Sequence, residues 1–225
     1  MAGLDQKRLV STVRNTEVVA DATNSLALEC ALRRKAALAG DPAGAGPVRI
    51  SAAHRQVRGQ AFDNPRYSAH FRVFCLATAD RSAARRRFER EALLEHLRYY
   101  LGAVGELIEA AGDDHRVEVL LTDLTRGNGR WIEEEIARPL RETHAGVRFV
   151  LDDERQSGAR YYRDLCFRLR LAREGGEAFD FLVDGGFTDW TQQLLGSRKE
   201  RLLTSALGVD YLVRILTPER LLSLR

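Results

Sequence analysis

The stretch VRISAAHRQVRGQAFDNPRYSAHFRVFCLAT, residues 48–78, decides the fold. Two runs rich in β-branched and aromatic residues, 48–57 and 69–78, flank the polar segment GQAFDNP at 59–65. Gly, Asp, Asn and Pro interrupt a strand and favour a turn, so the spacing predicts a β-hairpin with a basic connection. Upstream, GDPAGAGP at 40–47 forms an internal loop whose Gly and Pro stop a helix predicted over 24–39, with apolar Leu26, Leu28, Ala31, Leu32 and Leu38 near helical spacing. Residues 8–20 read as one or two short strands.

Downstream, 82–111 reads as a long helix with a stripe of Leu93, Leu94, Leu97, Leu101, Val104 and Leu107. RVEVLLTD (116–123) predicts a strand, RWIEEEIARPLRETH (130–144) a helix and VRFVLDD (147–153) a strand. Further strands are expected at 161–171 and 178–184, and helices at 207–216 and 217–224. The strands are not separated by one helix each, as parallel βαβ units require. The expectation is an α+β fold, a mainly antiparallel sheet flanked by helices, built as a single domain over residues 1–225.

Composition narrows the function classes. Hydrophobic residues make up 44% and charged residues 30% of 225, an ordinary globular balance with enough chain for a core. Thirty-five basic residues face 32 acidic ones, a net charge of +3, less than a protein gripping nucleic acid through phosphates alone usually carries. No apolar run reaches the roughly 20 residues of a membrane helix, and the first residues lack a secretory core. Cys30, Cys75 and Cys166 are few, odd in number and far apart, which predicts buried reduced thiols and a cytoplasmic location.

No phosphate loop, GxGxxG turn or GxSxG elbow is present, and the five histidines form no metal-ligand spacing, so no metal is expected. The run Arg85-Arg86-Arg87 reads as a solvated helix face. Residue chemistry alone stops at an α+β domain with two arginine-rich strands.

Four stretches, in order, resemble the catalytic core of class II aminoacyl-tRNA synthetases, the histidyl enzyme and its paralogue, the ATP phosphoribosyltransferase regulatory subunit, above all. VADATNSLAL resembles the Arg-Pro-Glu/Asp-x-Thr segment of the amino-acid pocket, and HRQVRGQ with RYSAHFRVF resembles the second class II motif. SGARYYRDLCF is similar to Arg-Gly-Leu-x-Tyr-Tyr-Thr-Gly-x-x-Phe. VDGGFTDW with TSALGVDYL is similar to Gly-Gly-Arg-Tyr-Asp followed by the third motif. The resemblance implies that Arg55 meets an α-phosphate while Arg58, Gln60 and Arg66 line the loop over a nucleotide. It implies that Asp21 and Thr23 hold a substrate ammonium, that Tyr161 and Tyr162 wall a pocket, and that Gly185, Gly186 and Asp189 lie at the ligand.

The departures fall where the family places charge. Val57 replaces the second motif's glutamate, Ser157 the histidyl signature arginine, Phe187 the arginine of Gly-Gly-Arg, and Tyr211 the third motif's terminal arginine. Losing one such electrostatic contact costs about 3–4 kcal/mol of transition-state stabilisation. No first motif and no anticodon-binding domain are recognised. The resemblance therefore implies a non-catalytic paralogue: a ligand-sensing or scaffolding subunit that binds a small polar ligand such as an amino acid and works as a homodimer or with a partner enzyme. The alternative is a remodelled ATP-dependent ligase or transferase that uses ATP with Mg and does not charge tRNA by itself.

Overall fold

A computed structural model describes residues 7, 9–13, 18–41, 44–61, 63, 67–155, 162–172 and 181–216. Its elements run α1 (Ala22–Gly40), β1 (Val48–Val57), β2 (His70–Arg81), α2 (Arg87–Ala111), β3 (Arg116–Asp123), α3 (Gly129–Ile132), a π-helical turn (Glu133–Ala137), α4 (Arg138–Thr143), β4 (Arg148–Leu151), β5 (Leu165–Ala172), β6 (Val183–Thr188), α5 (Trp190–Leu195), β7 (Glu200–Gly208) and α6 (Val209–Leu216). The hairpin forms as the turn chemistry predicts, with ten β1–β2 pairs from Val48↔Ala79 to Val57↔His70.

Seven strands make one sheet in the order β1-β2-β7-β6-β5-β3-β4. All neighbours are antiparallel except β3 and β4, which are parallel and joined through α3 and α4. That single pair is a βαβ crossover, which the expectation of hairpin connections did not include.

Period-two alternation assigns the two faces of the sheet. Val48, Ile50, Ala52, Phe71, Val73, Cys75, Ala77, Ala79 and Ala206 pack with Leu26, Ala27 and Cys30 of α1. On the other face Leu93, Leu97, Tyr100, Leu101 and Val104 of α2 pack against Val119, Leu121, Phe167, Leu169 and Leu203. Helix α1 begins at Asp21, whose side chain accepts from the Thr23 backbone N–H, a cap that satisfies one orphan donor of the first turn.

Several boundaries differ from the sequence expectation. Of residues 8–20, those described contain one isolated bridge at Ser11 and a Val18 N–H bond to the Val10 carbonyl, not two strands. The expected strand at 178–184 starts at Val183 and runs through the glycine pair to Thr188. Strand β7 has little polar alternation because both of its faces are covered, and such a run cannot be told from a buried helix by periodicity. The helix expected at 217–224 lies outside the described residues.

The arginine run is not uniformly solvated. Arg85 and Arg86 have φ of 55° and 56°, so helix α2 opens only at Arg87. Arg86 donates to Asn128 Oδ1 (2.6 Å), pairs with Asp164 and lies over the Trp131 ring (4.6 Å). All three cysteines are buried, as composition predicted, and burial pushes the Cys30 and Cys75 thiols up to about 12. No helix among the described residues is long and apolar enough to cross a membrane.

Candidate functional site

A cavity of about 310 Å³ opens on the α1 face of the sheet, where the β1–β2 connection, the start of β6, the end of β7 and α6 converge. Phe71, Val73, Leu182 and Ala206 supply its apolar wall, and Tyr67, Phe181 and Tyr211 add aromatic surface. Its charged lining is Arg58, Arg72, Arg214, Asp184 and Asp210. An apolar cleft with a few convergent polar groups is the usual form of a small-molecule site.

Arg58 follows β1 directly, and two contacts hold it. Its Nε donates to the Ala20 carbonyl (3.1 Å), and its guanidinium lies 5.2 Å from the centre of the Phe71 ring. Neighbouring Gln56 is buried; in the amide orientation that satisfies both partners it donates to the Ala20 carbonyl (3.2 Å) and accepts from the Ala22 N–H (2.8 Å). The end of β1 is thereby pinned to the start of α1, which fixes where Arg58 enters the cavity.

Both lining carboxylates are engaged. Asp184 Oδ1 accepts from Arg155 Nη2 at 2.7 Å and lies 4.0 Å from Arg168 Nε. Burial pushes the Asp184 carboxyl above the usual carboxylate range, and the Arg155 guanidinium pulls it back only in part. Asp210 Oδ2, in the first turn of α6, accepts from the Arg72 backbone N–H (3.1 Å) and lies 4.0 Å from Arg55 Nη1.

The predicted residues divide into three groups. Arg58 and Tyr211 line the cavity, and the Tyr211 ring lies 5.3 Å from that of Tyr67. Arg55 is not itself in the lining; it pairs across the hairpin with Arg72 and reaches to 4.0 Å from the lining carboxylate of Asp210. Gln60 sits in the connection, its N–H on the Arg58 carbonyl. Val57 ends β1, half-buried.

The others are occupied by packing or capping. Asp21 Oδ1 takes both the N–H (2.9 Å) and the hydroxyl (2.6 Å) of Thr23. Tyr162 is buried beneath Arg155, whose guanidinium lies 5.2 Å from its ring centre. A Cβ on Gly186 would fall 2.6 Å from Tyr162 Cδ1 and from Cys166 Cβ, and one on Gly185 2.6 Å from Ser205 Cβ. These glycines serve close packing of side chains against the sheet. Phe187 is core, edge-on to Phe88 at 6.2 Å. Asp189 bonds Arg163 Nε (3.1 Å) and Gln193 Nε2 (2.8 Å). Arg66, Ser157 and Tyr161 lie outside the described residues.

Arg155 was not anticipated. It stands two residues before Ser157, where the resemblance has lost an arginine, and it is fully buried while donating to Asp184 and to the Phe167 carbonyl (3.4 Å). The signal was an arginine displaced by two positions in ERQSGARYY, which a fixed motif spacing passes over.

No protein-family model matches this sequence, and no curated protein matches it. Solved structures do. The S. aureus histidyl-tRNA synthetase in its apo form superposes with a TM-score of 0.63 at 14% identity, over 94% of this chain and 55% of that one. The fold is that of a class II aminoacyl-tRNA synthetase core. The synthetase-like chain also matches the ATP phosphoribosyltransferase regulatory subunit/histidyl-tRNA synthetase of Bacillus halodurans C (TM-score 0.58, 15% identity, 95% of this chain, 69% of that). A structure described as the RNA binding domain of threonyl-tRNA synthetase from Cryptosporidium parvum Iowa II superposes too (0.60, 11%, 94% and 53%). The chain thus spans little more than half the length of the S. aureus and C. parvum structures, and at these identities the likeness carries the fold alone.

Proposed function

We propose that this protein is a non-catalytic, synthetase-like subunit that binds a small polar ligand in the cavity beside Arg58 and transmits occupancy to a partner enzyme or to a second copy of itself. The observation that carries the reading is Tyr211. The resemblance places a phosphate-binding arginine there, and this chain offers a buried phenol ring set against Tyr67. A tyrosine supplies no fixed positive charge where a triphosphate's charge has to be countered, whereas a guanidinium supplies it bidentately. The two carboxylates of the cavity are engaged by Arg155 and by Arg72 N–H, an arrangement suited to holding the walls in place. The fold shared with a protein described as a regulatory subunit supports the same reading.

Two measurements test it together. ATP–pyrophosphate exchange with a full amino-acid panel is expected to stay at background. A thermal-shift screen of amino acids, organic acids and nucleotides is expected to return at least one stabilising compound, because a ligand of the folded state alone raises Tm. Robust exchange would overturn the reading in favour of an ATP-dependent ligase, and a screen without a hit would remove its ligand-sensing half.

A further inference from the structure

We infer that the cavity selects an organic anion, a carboxylate or phosphate on an apolar or aromatic body, and discriminates against ligands that carry an ammonium group. This rests on the proposal that the cavity is a ligand site, and it departs from the amino acid that the family resemblance implies. The argument is one of charge matching. Among the described lining residues the carboxylates are Asp184 and Asp210, and the cations are Arg58, Arg72 and Arg214. Each carboxylate has a further arginine at its back. Arg155 is 2.7 Å from Asp184, with Arg168 at 4.0 Å, and Arg55 is 4.0 Å from Asp210. Asp184 is thus already held by an arginine, and Asp210 by the Arg72 backbone N–H.

An ammonium entering this space would have to compete with Arg155 for Asp184 and with the Arg72 N–H for Asp210, and would meet the Arg58 charge on the way in. An anion meets the opposite situation. Arg58 is fixed through Nε and through the face of Phe71, while its Nη1 and Nη2 make no hydrogen bond among the described residues. A guanidinium anchored in this way has little rotamer freedom left to lose, so it is pre-organised for a two-pronged bond to a carboxylate or phosphate. Asp21 and Thr23, which the resemblance assigned to an ammonium, do not line the cavity. Asp21 Oδ1 is committed to the Thr23 N–H and hydroxyl. The body of the ligand is set by Tyr67, Phe71, Phe181 and Tyr211, four aromatic rings around one small cavity.

The test is calorimetric titration of the full chain with a matched set: 3-phenylpropionate, phenyl phosphate, L-phenylalanine and 2-phenylethylamine, which share a body and differ in the charged group. At least one of the two anions is expected to bind at least tenfold more tightly than L-phenylalanine, with 2-phenylethylamine not binding; which anion leads identifies the head group. Arg58→Gln should weaken the anion tenfold or more, and Arg58→Lys should restore part of that loss. A circular-dichroism melt of each variant checks that it remains folded. Equal or tighter binding of L-phenylalanine or 2-phenylethylamine would overturn the inference and leave the ligand-site proposal standing. Silence from all four probes, alongside a hit elsewhere in the thermal-shift screen, would also overturn it. Silence from probes and screen alike would remove both.

Discussion

Strand β7 carries opposite electrostatic arrangements at its two ends. At its start, Glu200 is fully buried and bonds Arg34 Nε at 2.9 Å, with Arg81 Nε at 3.4 Å. Arg34, also fully buried, spends Nη1 on the Ala45 and Gly46 carbonyls (3.2 and 2.7 Å) and lies 3.2 Å from Asp80. Charge and donors are matched there, and the loop before β1 is tied to α1 and to the sheet. At the far end, past Gly208, arginines outnumber carboxylates around a cavity. The closed set of charges at the start of the strand holds the fold together, and the cavity at its far end is where we propose that a ligand binds.

The largest expected effect comes from breaking the closed end. Glu200→Ala leaves buried Arg34 with Asp80 as its remaining carboxylate, and since removing one member of a buried pair costs about 3–5 kcal/mol, a loss toward the lower end of that range is expected. Urea unfolding should show that loss as a lower midpoint. A loss below about 1 kcal/mol would mean that water or rearrangement replaces the pair.

Midway along the strand, His96 tests the same logic through pH. It is buried between Thr78 Oγ1 (3.0 Å) and Ser205 Oγ (2.8 Å), and Ser205 also bonds the Tyr100 hydroxyl (3.0 Å). Burial, helped by the Arg49 charge, depresses its pKa from 6.5 to about 3. The unfolded chain therefore takes up a proton below about pH 6 that the folded chain refuses. Stability should fall with decreasing pH by roughly 1.4 kcal/mol per unit from this group. Comparing wild type with His96→Gln between about pH 6.5 and about pH 4.5 isolates it: the variant's melting temperature should decline less steeply. Parallel declines would place the acid sensitivity elsewhere.

A smaller loss is expected at the floor of the sheet beside the cavity. Gly186→Ala drives a methyl into Tyr162 and Cys166, and overpacking of this kind costs about 1–3 kcal/mol. Differential scanning calorimetry should show a lower Tm, and an unchanged Tm would mean that Tyr162 yields freely.

How much of this was legible beforehand depends on which physical term left a trace in the sequence. The hairpin of β1 and β2 was, because Gly, Asp, Asn and Pro separate two β-rich runs. Strand β7 was not, since a segment covered on both faces loses its alternation. The parallel β3–β4 pair was missed because a helix between two strands fixes neither direction nor partner until the sheet is assembled. At the site, motif order pointed to Arg58 and Tyr211, which line the cavity, and to Arg55, which stands just behind its carboxylate Asp210. Arg155 and Asp184 escaped because their partnership joins the segment after β4 to β6, 29 residues apart, and leaves no local pattern.

The smallest expected effect on stability is also the most informative one. Arg58→Gln removes a partly buried cation together with its bond to the Ala20 carbonyl and its contact with Phe71, and should lower the unfolding free energy by about 1 kcal/mol. The direct test is to measure, on the same preparations, urea unfolding and titration with 3-phenylpropionate and phenyl phosphate for wild type and Arg58→Gln. The account predicts a variant that stays fully folded without denaturant, its unfolding midpoint only slightly lowered, and at least a tenfold loss of anion binding. A variant that binds as wild type does, or that loses binding only in proportion to a large loss of stability, would contradict it.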